Sequence, residues 1–306
     1  MTKLKFNRKN VKWLVILFLI ILALSIPAFS WMKTTNRDRA QRRKSLVSPL
    51  IMIPGSSASI NRFDSLIALL NKNNPHPHSV LKIKVGTNGS LDFSGSINHG
   101  DNEPIIVVGF QNNHDGYSNI KKQASWLDEA FYQVSQTYKF NNFKAFGHSN
   151  GGLIWTYWLE HYYSYYKSDI KIKKLMTLAS PFIFSESNVS HKTQMLSDLI
   201  KYRKNLPKNL IVYSLLGGEN YDSDGIVPEA SVHAGKYIFQ NQVKQFTEIT
   251  ITGSDATHTD LPQNKEVVAA IKQYLLDKKK NNSLLGKTNS KNTSRRTKEN
   301  KEKDNK

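Results

Sequence analysis

The chain contains no cysteine in 306 residues, which excludes a disulfide framework, a thiolate nucleophile and a Cys-ligated metal site. It also lacks an H-E-x-x-H pair and any glycine-rich dinucleotide or phosphate loop, so neither a metal nor another cofactor is expected. Acid is scarce: 24 Asp and Glu stand against 43 Lys and Arg, a formal net charge of +19. Such an excess invites a nucleic-acid reading, but its distribution argues against one. Residues 1–44 hold eleven Lys/Arg against one acid, Asp38, and residues 278–306 hold eleven against three. The segment between them is left at +1. A segment so nearly neutral has no evident basic face for phosphates, and no nucleic-acid partner is expected.

One long apolar run is present, the uncharged stretch from Trp13 to Trp31 behind Lys3, Lys5, Arg8, Lys9 and Lys12. As a helix rising about 1.5 Å per residue it nearly matches a hydrocarbon core of about 30 Å. Tryptophans at both ends suit the two interfaces, and no polar positions recur at a helical period as a buried core helix would require. The expectation is a basic segment over 1–12, a single membrane-crossing helix over 13–31 and a polar linker over 32–46. Ala28-Phe29-Ser30 would serve as a cleavage site and make the protein secreted, but the run is longer than a typical signal core and favours a retained anchor. Lys33, Arg37, Arg39, Arg42, Arg43 and Lys44 follow the span and rival the charge before it, so the positive-inside rule alone leaves orientation open. The tail over 278–306 has too little apolar content to fold. Its lysines and arginines suit contact with an anionic wall polymer or lipid head groups, although a solvated end is the plainer reading.

The domain expected over 47–277 alternates short apolar strands with helices. Strands are expected at Leu50 to Ile53, Val80 to Val85, Ile105 to Phe110, Phe143 to Phe146, Leu175 to Leu178, Ile211 to Leu216 and Phe246 to Ile251. Helices are expected near Phe63 to Leu70, Ile120 to Tyr138, Gly151 to Tyr163 and Lys265 to Leu276. This pattern predicts an α/β fold with a mainly parallel sheet covered on both faces. Residues 181–207 interrupt the alternation and read either as a small cap or as a helix-containing surface connection.

Gly147-His148-Ser149-Asn150-Gly151 is a G-x-S-x-G motif set between an apolar strand and a helix. A sharp strand-to-helix turn there would present the Ser149 hydroxyl at the carboxyl edge of the sheet. Serine needs a base in hydrogen-bond reach and a carboxylate to orient it, and in the α/β-hydrolase fold they follow in the order acid, then His. Asp224 lies in Ser223-Asp224-Gly225-Ile226-Val227-Pro228 and His258 in Thr257-His258-Thr259, each after a predicted strand. Asp222, Asp255 and Asp260 compete for the acid, while His148 is read as packing or bonding locally and His233 as too close to the acid. The oxyanion would be held by the backbone N–H of Asn150 and by a donor after the first strand, at Ser56 of Pro54-Gly55-Ser56-Ser57.

With Ile53-Pro54-Gly55, the Gly147 to Gly151 elbow, Ser180-Pro181-Phe182, the Ser223 to Pro228 segment and His258 to Asn264 in register, the chain resembles a family of exported α/β hydrolases of low-GC Gram-positive bacteria. Its members are labelled cell-surface hydrolases of unknown function. The resemblance spans about residues 47–276 and implies that Ser149, Asp224 and His258 match the family's triad, in an extracytoplasmic domain behind an N-terminal signal or anchor. Pro54 stands where many such enzymes have His, and Asn150 where Met or Leu is more usual; both bear on substrate preference. The expected activity is hydrolysis of a small-molecule or lipid-like ester, with thioester or amide as variants. The rival is a membrane-tethered binding or scaffold protein that keeps the fold without turnover.

Overall fold

The computed structural model describes residues 8–219 and 222–276. The basic tail expected over 278–306 and the first seven residues lie outside them.

Strands β1 (Leu50–Ile53), β2 (Val80–Val85), β3 (Leu91–Gly95), β4 (Ile105–Phe110), β5 (Asn142–His148), β6 (Lys171–Leu178), β7 (Ile211–Gly218) and β8 (Gln245–Thr252) form one sheet in the order β3-β2-β4-β1-β5-β6-β7-β8. All neighbours are parallel except β2 and β3. The central strands are continuously apolar because both faces are covered, and their side chains divide by alternation. Ile51, Ile53, Ile106 and Val108 face helices α3 (Tyr117–Tyr138), α4 (Asn150–His161) and α5 (Gln194–Tyr202) in one core. Leu50, Met52, Ile105 and Val107 face α2 (Asp64–Asn71) and α8 (Lys265–Ala270) in the other. Two short helices, α6 (Glu229–His233) and α7 (Lys236–Phe239), connect β7 to β8.

The sequence pattern does not reveal β3. It runs antiparallel to β2 at the edge of the sheet, and its side chains are mostly exposed. An edge strand with one neighbour needs no apolar run. Residues 181–207 split in two: Pro181, Phe184 and Ser185 reach a cavity at the carboxyl edge, while Met195, Leu196 and Leu199 of α5 are buried in the core.

The membrane helix expected over 13–31 is part of a single helix, α1 (Arg8–Lys44), long and apolar enough to cross a membrane. Its apolar residues from Val11 to Met32 stand exposed, Trp13 at 71% and Trp31 at 70%. They pack on nothing in the domain, as a lipid-facing helix requires. Residues 32–46, expected as a linker, instead continue α1 to Lys44 and bond to the domain. Asp38 pairs with Lys139 at 2.9 Å. The buried Arg42 donates through Nη1 to the carbonyls of Ser135 (3.0 Å) and Phe140 (2.8 Å), and Asn141 Nδ2 donates to the Arg42 carbonyl at 2.9 Å. These partners are polar groups at the end of α3, which the periodicity of residues 32–46 could not disclose. They place the exit of α1 at the amino-terminal ends of β5 and β6.

Candidate active site

Ser149 sits at the opposite end of β5, between that strand and α4. Its backbone is at φ 53° and ψ −124°, a conformation that costs a non-glycine residue about 1–3 kcal/mol and persists only where the surroundings impose it. They do so here. The Ser149 amide donates to the Leu178 carbonyl at 2.8 Å, extending the β5–β6 register by one residue. A Cβ on Gly151 would lie 2.1 Å from the Ile53 carbonyl oxygen, and one on Gly55 would lie 2.8 Å from Ser149 Cβ. Both glycines are therefore conditions for bringing the turn against the end of β1.

The acid and the histidine come from the two neighbouring strand ends. Asp224 follows β7 in a loop closed by a bridge between Ser223 and Pro228. Its Oδ1 accepts from the amides of Ile226 (3.0 Å) and Val227 (2.7 Å). Its Oδ2 lies 2.7 Å from His258 Nδ1, and the His258 amide donates to the Asp224 carbonyl at 2.8 Å. Both are buried, Asp224 at 2% and His258 at 9% exposure, so the carboxylate is fixed by three contacts before any substrate arrives. The competing acids fall elsewhere: Asp222, Asp255 and Asp260 are exposed, and Asp260 accepts from Thr257 Oγ1 at 2.9 Å. His233 faces Glu248 at 3.1 Å, away from this cluster.

His148, within the motif, does more than fill space. Its Nε2 donates to the His258 carbonyl at 3.1 Å, and the two rings lie 4.7 Å apart at 36°. Burial, then the neighbouring His258 and Arg62, drive its pKa well below the ordinary histidine value, so it stays neutral. A neutral ring donating through Nε2 supports the His258 backbone without adding a charge beneath it.

Ser56, Ser149, Asn150 and His258 line one cavity of about 630 Å³, which brings every site residue expected from the sequence to one place, Asp224 standing behind His258. The loop carrying Ser56 is tied down by the Ser57 amide donating to the Asn113 carbonyl at 3.0 Å and Asn113 Nδ2 to the Ala58 carbonyl at 2.8 Å. Pro181, Phe184, Ile226 and Val227 make an apolar wall. Two charged lining residues carry no motif. The half-buried Arg62 donates through Nη2 to the Thr259 carbonyl and through Nη1 to Gln263 Oε1 (3.3 Å). Asp115 Oδ1 accepts from Asn150 Nδ2 at 2.6 Å. Both lie in loops after strands, and only the folding of those loops over the sheet edge brings them in. Among the described residues no group of three or more His, Asp or Glu side chains is placed to hold a metal ion.

The family model for an α/β hydrolase of unknown function, DUF915, matches residues 37–278. Among solved structures, a protein assigned as a cell surface hydrolase from Lactobacillus plantarum WCFS1 is 53% identical, with a TM-score of 0.71 over 80% of this chain and 98% of that one. A protein from Listeria innocua is 26% identical, with a TM-score of 0.68 over 77% of this chain and 96% of that one. No curated protein matches the chain. The elbow, the parallel sheet and these matches together place the chain in the DUF915 family of α/β hydrolases.

Proposed function

We propose that the protein is a serine hydrolase that cleaves an ester through an acyl-enzyme intermediate, with thioester and amide as variants of the same chemistry. The observation that carries this is the conjunction of a strained Ser149 at φ 53° with a His258–Asp224 contact of 2.7 Å in the adjoining loops. Strain at a serine is retained where the serine's position matters more than its cost.

With His258 Nδ1 committed to Asp224, Nε2 is the nitrogen left for proton transfer. It takes the hydroxyl proton as Ser149 Oγ attacks the ester carbonyl, and passes it to the departing alkoxide as the C–O bond breaks. The amides of Asn150 and Ser56 hold the oxyanion that forms between these events. Water then attacks the acyl-enzyme, its proton moves to Nε2 and on to Ser149 Oγ, and the carboxylic acid leaves. Asp224 orients His258 and stabilises the imidazolium. The apolar wall at Phe184, Ile226 and Val227 suits an acyl chain, and the Arg62 and Asp115 side suits a polar alcohol portion.

The 53% identical relative is assigned as a cell surface hydrolase, and α1 is long enough to span. We therefore read this domain as anchored in the cell membrane by a single retained span, with the site on the outer side. Hydrolysis of a short-chain p-nitrophenyl ester by the full chain is the test. Ser149→Ala should lose at least about a thousandfold in kcat/KM, and full activity in the folded variant would reject the assignment.

A further inference from the structure

The lysines of the middle of the chain are not spread evenly. Lys167, Lys171, Lys173, Lys174, Lys204 and Lys208 line one cavity of about 850 Å³ at the amino-terminal ends of β6 and β7. None of the described residues lining it is acidic. The near-neutral sum over 45–277 suggested no basic face, and the structure corrects this: a net charge says nothing about segregation. Two acids on adjoining segments do not offset Lys167, Lys171, Lys204 and Lys208, while Lys173 also borders a second cavity that carries Asp101 and Glu103. Asp169 faces Arg39 of α1 at 3.6 Å. Glu160, whose backbone carbonyl accepts from the cavity residue Asn205 at 3.0 Å, is buried, and burial pushes its carboxyl up to about 9, so it is uncharged near neutral pH.

The position of this cavity indicates its anion. Arg39 and Asp169 join α1 to the turn between Lys167 and Lys171, so the helix enters the domain beside the lysines. The apolar part of α1 ends at Met32, and Asp38 already bonds the domain, leaving about 9 Å of helix between them at about 1.5 Å per residue. With the span in a bilayer, this edge of the domain stands at head-group depth. Two large apolar side chains are exposed on the same edge, Tyr165 at 77% and Leu46 at 75%. Lysines flanked by an exposed tyrosine and leucine are the composition of an interfacial surface.

We propose that the lysine-lined cavity binds the phosphate groups of anionic lipids in the bilayer that holds α1, seating the domain on its membrane. The inference rests on α1 staying in the bilayer and does not depend on Ser149 being a nucleophile. It has a geometric consequence. Ser149 lies at the far end of β5, about 20 Å away at about 3.3 Å per residue, so a domain seated on this edge opens its active site to the aqueous side.

The test uses the full chain in nanodiscs of phosphatidylcholine alone or with about a third phosphatidylglycerol. Lysines are acylated with a water-soluble reagent and mapped by peptide mass spectrometry. Lys167, Lys171, Lys173 and Lys204 should react at least about threefold more slowly in the anionic discs, with the difference lost at about 0.5 M salt. Lys121 and Lys122, at the start of α3 near the opposite edge, should react alike in both. A variant with Lys171→Glu, Lys173→Glu and Lys204→Glu should remain in the discs and lose the protection of Lys167. Equal rates at the four lysines in both discs would overturn the proposal. So would protection by a soluble polyphosphate but not by the anionic bilayer. Failure of the full chain to float with phosphatidylcholine vesicles would overturn it at its premise, independently of any result on Ser149.

Discussion

The two ends of the sheet hold buried polar groups on different terms. At the carboxyl end, Asp224 has both oxygens engaged, His258 is bonded through ring and backbone, and the backbone carries strain at Ser149 and also at Ser57, Ala179 and Phe184, all at positive φ. At the amino end, the polar groups join elements together. Arg42 staples α1 to the end of α3, and Lys144 forms a buried ion pair with Glu103. The carboxyl of Glu160 has no hydrogen-bond partner among the described residues. On the proposed mechanism, the carboxyl end holds geometry for chemistry and the amino end holds it for attachment. Substitutions at the first end should therefore cost turnover and leave stability, and substitutions at the second should change stability and leave turnover.

The largest separation is expected at His258. His258→Ala should reduce kcat/KM for a soluble ester by at least about a thousandfold, about 4 kcal/mol of transition-state stabilisation, with little change in melting temperature. A drop in stability large enough to explain the lost activity would break the comparison.

Glu160 should show the opposite. Its pKa is raised to about 9 in the folded protein by burial, against an ordinary value of 4.5. Below that ordinary value both states hold the proton and burial carries no ionisation penalty. As pH climbs toward 9 the unfolded chain gives up the proton while the folded chain keeps it, so stability falls. Glu160→Gln removes this slope, and urea unfolding should show it more stable than the parent by about 3 kcal/mol at pH 7 and by less than about 1 kcal/mol at pH 5, with turnover unchanged.

Arg42→Met leaves the Phe140 carbonyl without its donor and the Ser135 carbonyl with only the Lys139 amide, and should cost about 1–2 kcal/mol in unfolding free energy, again without effect on ester hydrolysis. His148→Phe is the smallest and sharpens the carboxyl side: it keeps a ring under His258 but loses the bond to its carbonyl. About a tenfold fall in kcat with KM unchanged is expected for a positioning residue, whereas an equal loss of stability and no kinetic change would assign His148 to packing alone.

Most of this arrangement was legible in the chain. The parallel strands announce themselves because burial on both faces forces apolar runs such as Leu50 to Ile53 and Ile105 to Phe110. The positions of Ser149, Asp224 and His258 follow from motif spacing and fold order, because each lies just past a strand end, where local sequence and sheet topology agree. What the sequence could not show depends on contacts between distant segments. β3 is a polar edge strand defined by its partner β2. The docking of residues 38–44 of α1 is written in backbone carbonyls at and just past the end of α3. Arg62 and Asp115 enter the cavity on loops without any motif. The lysine cluster is invisible to a charge sum because Lys167 to Lys174 and Lys204 to Lys208 meet only when β6 and β7 pair.

The proposed function requires Ser149 to be a nucleophile activated by His258. A fluorophosphonate probe, applied to the full chain and followed by peptide mapping, tests it most directly. One stoichiometric adduct on Ser149 is expected, lost in Ser149→Ala and strongly slowed in His258→Ala. No labelling of the folded protein, or labelling that persists in Ser149→Ala, would contradict it, and the former would favour a membrane-tethered protein that keeps the fold without turnover.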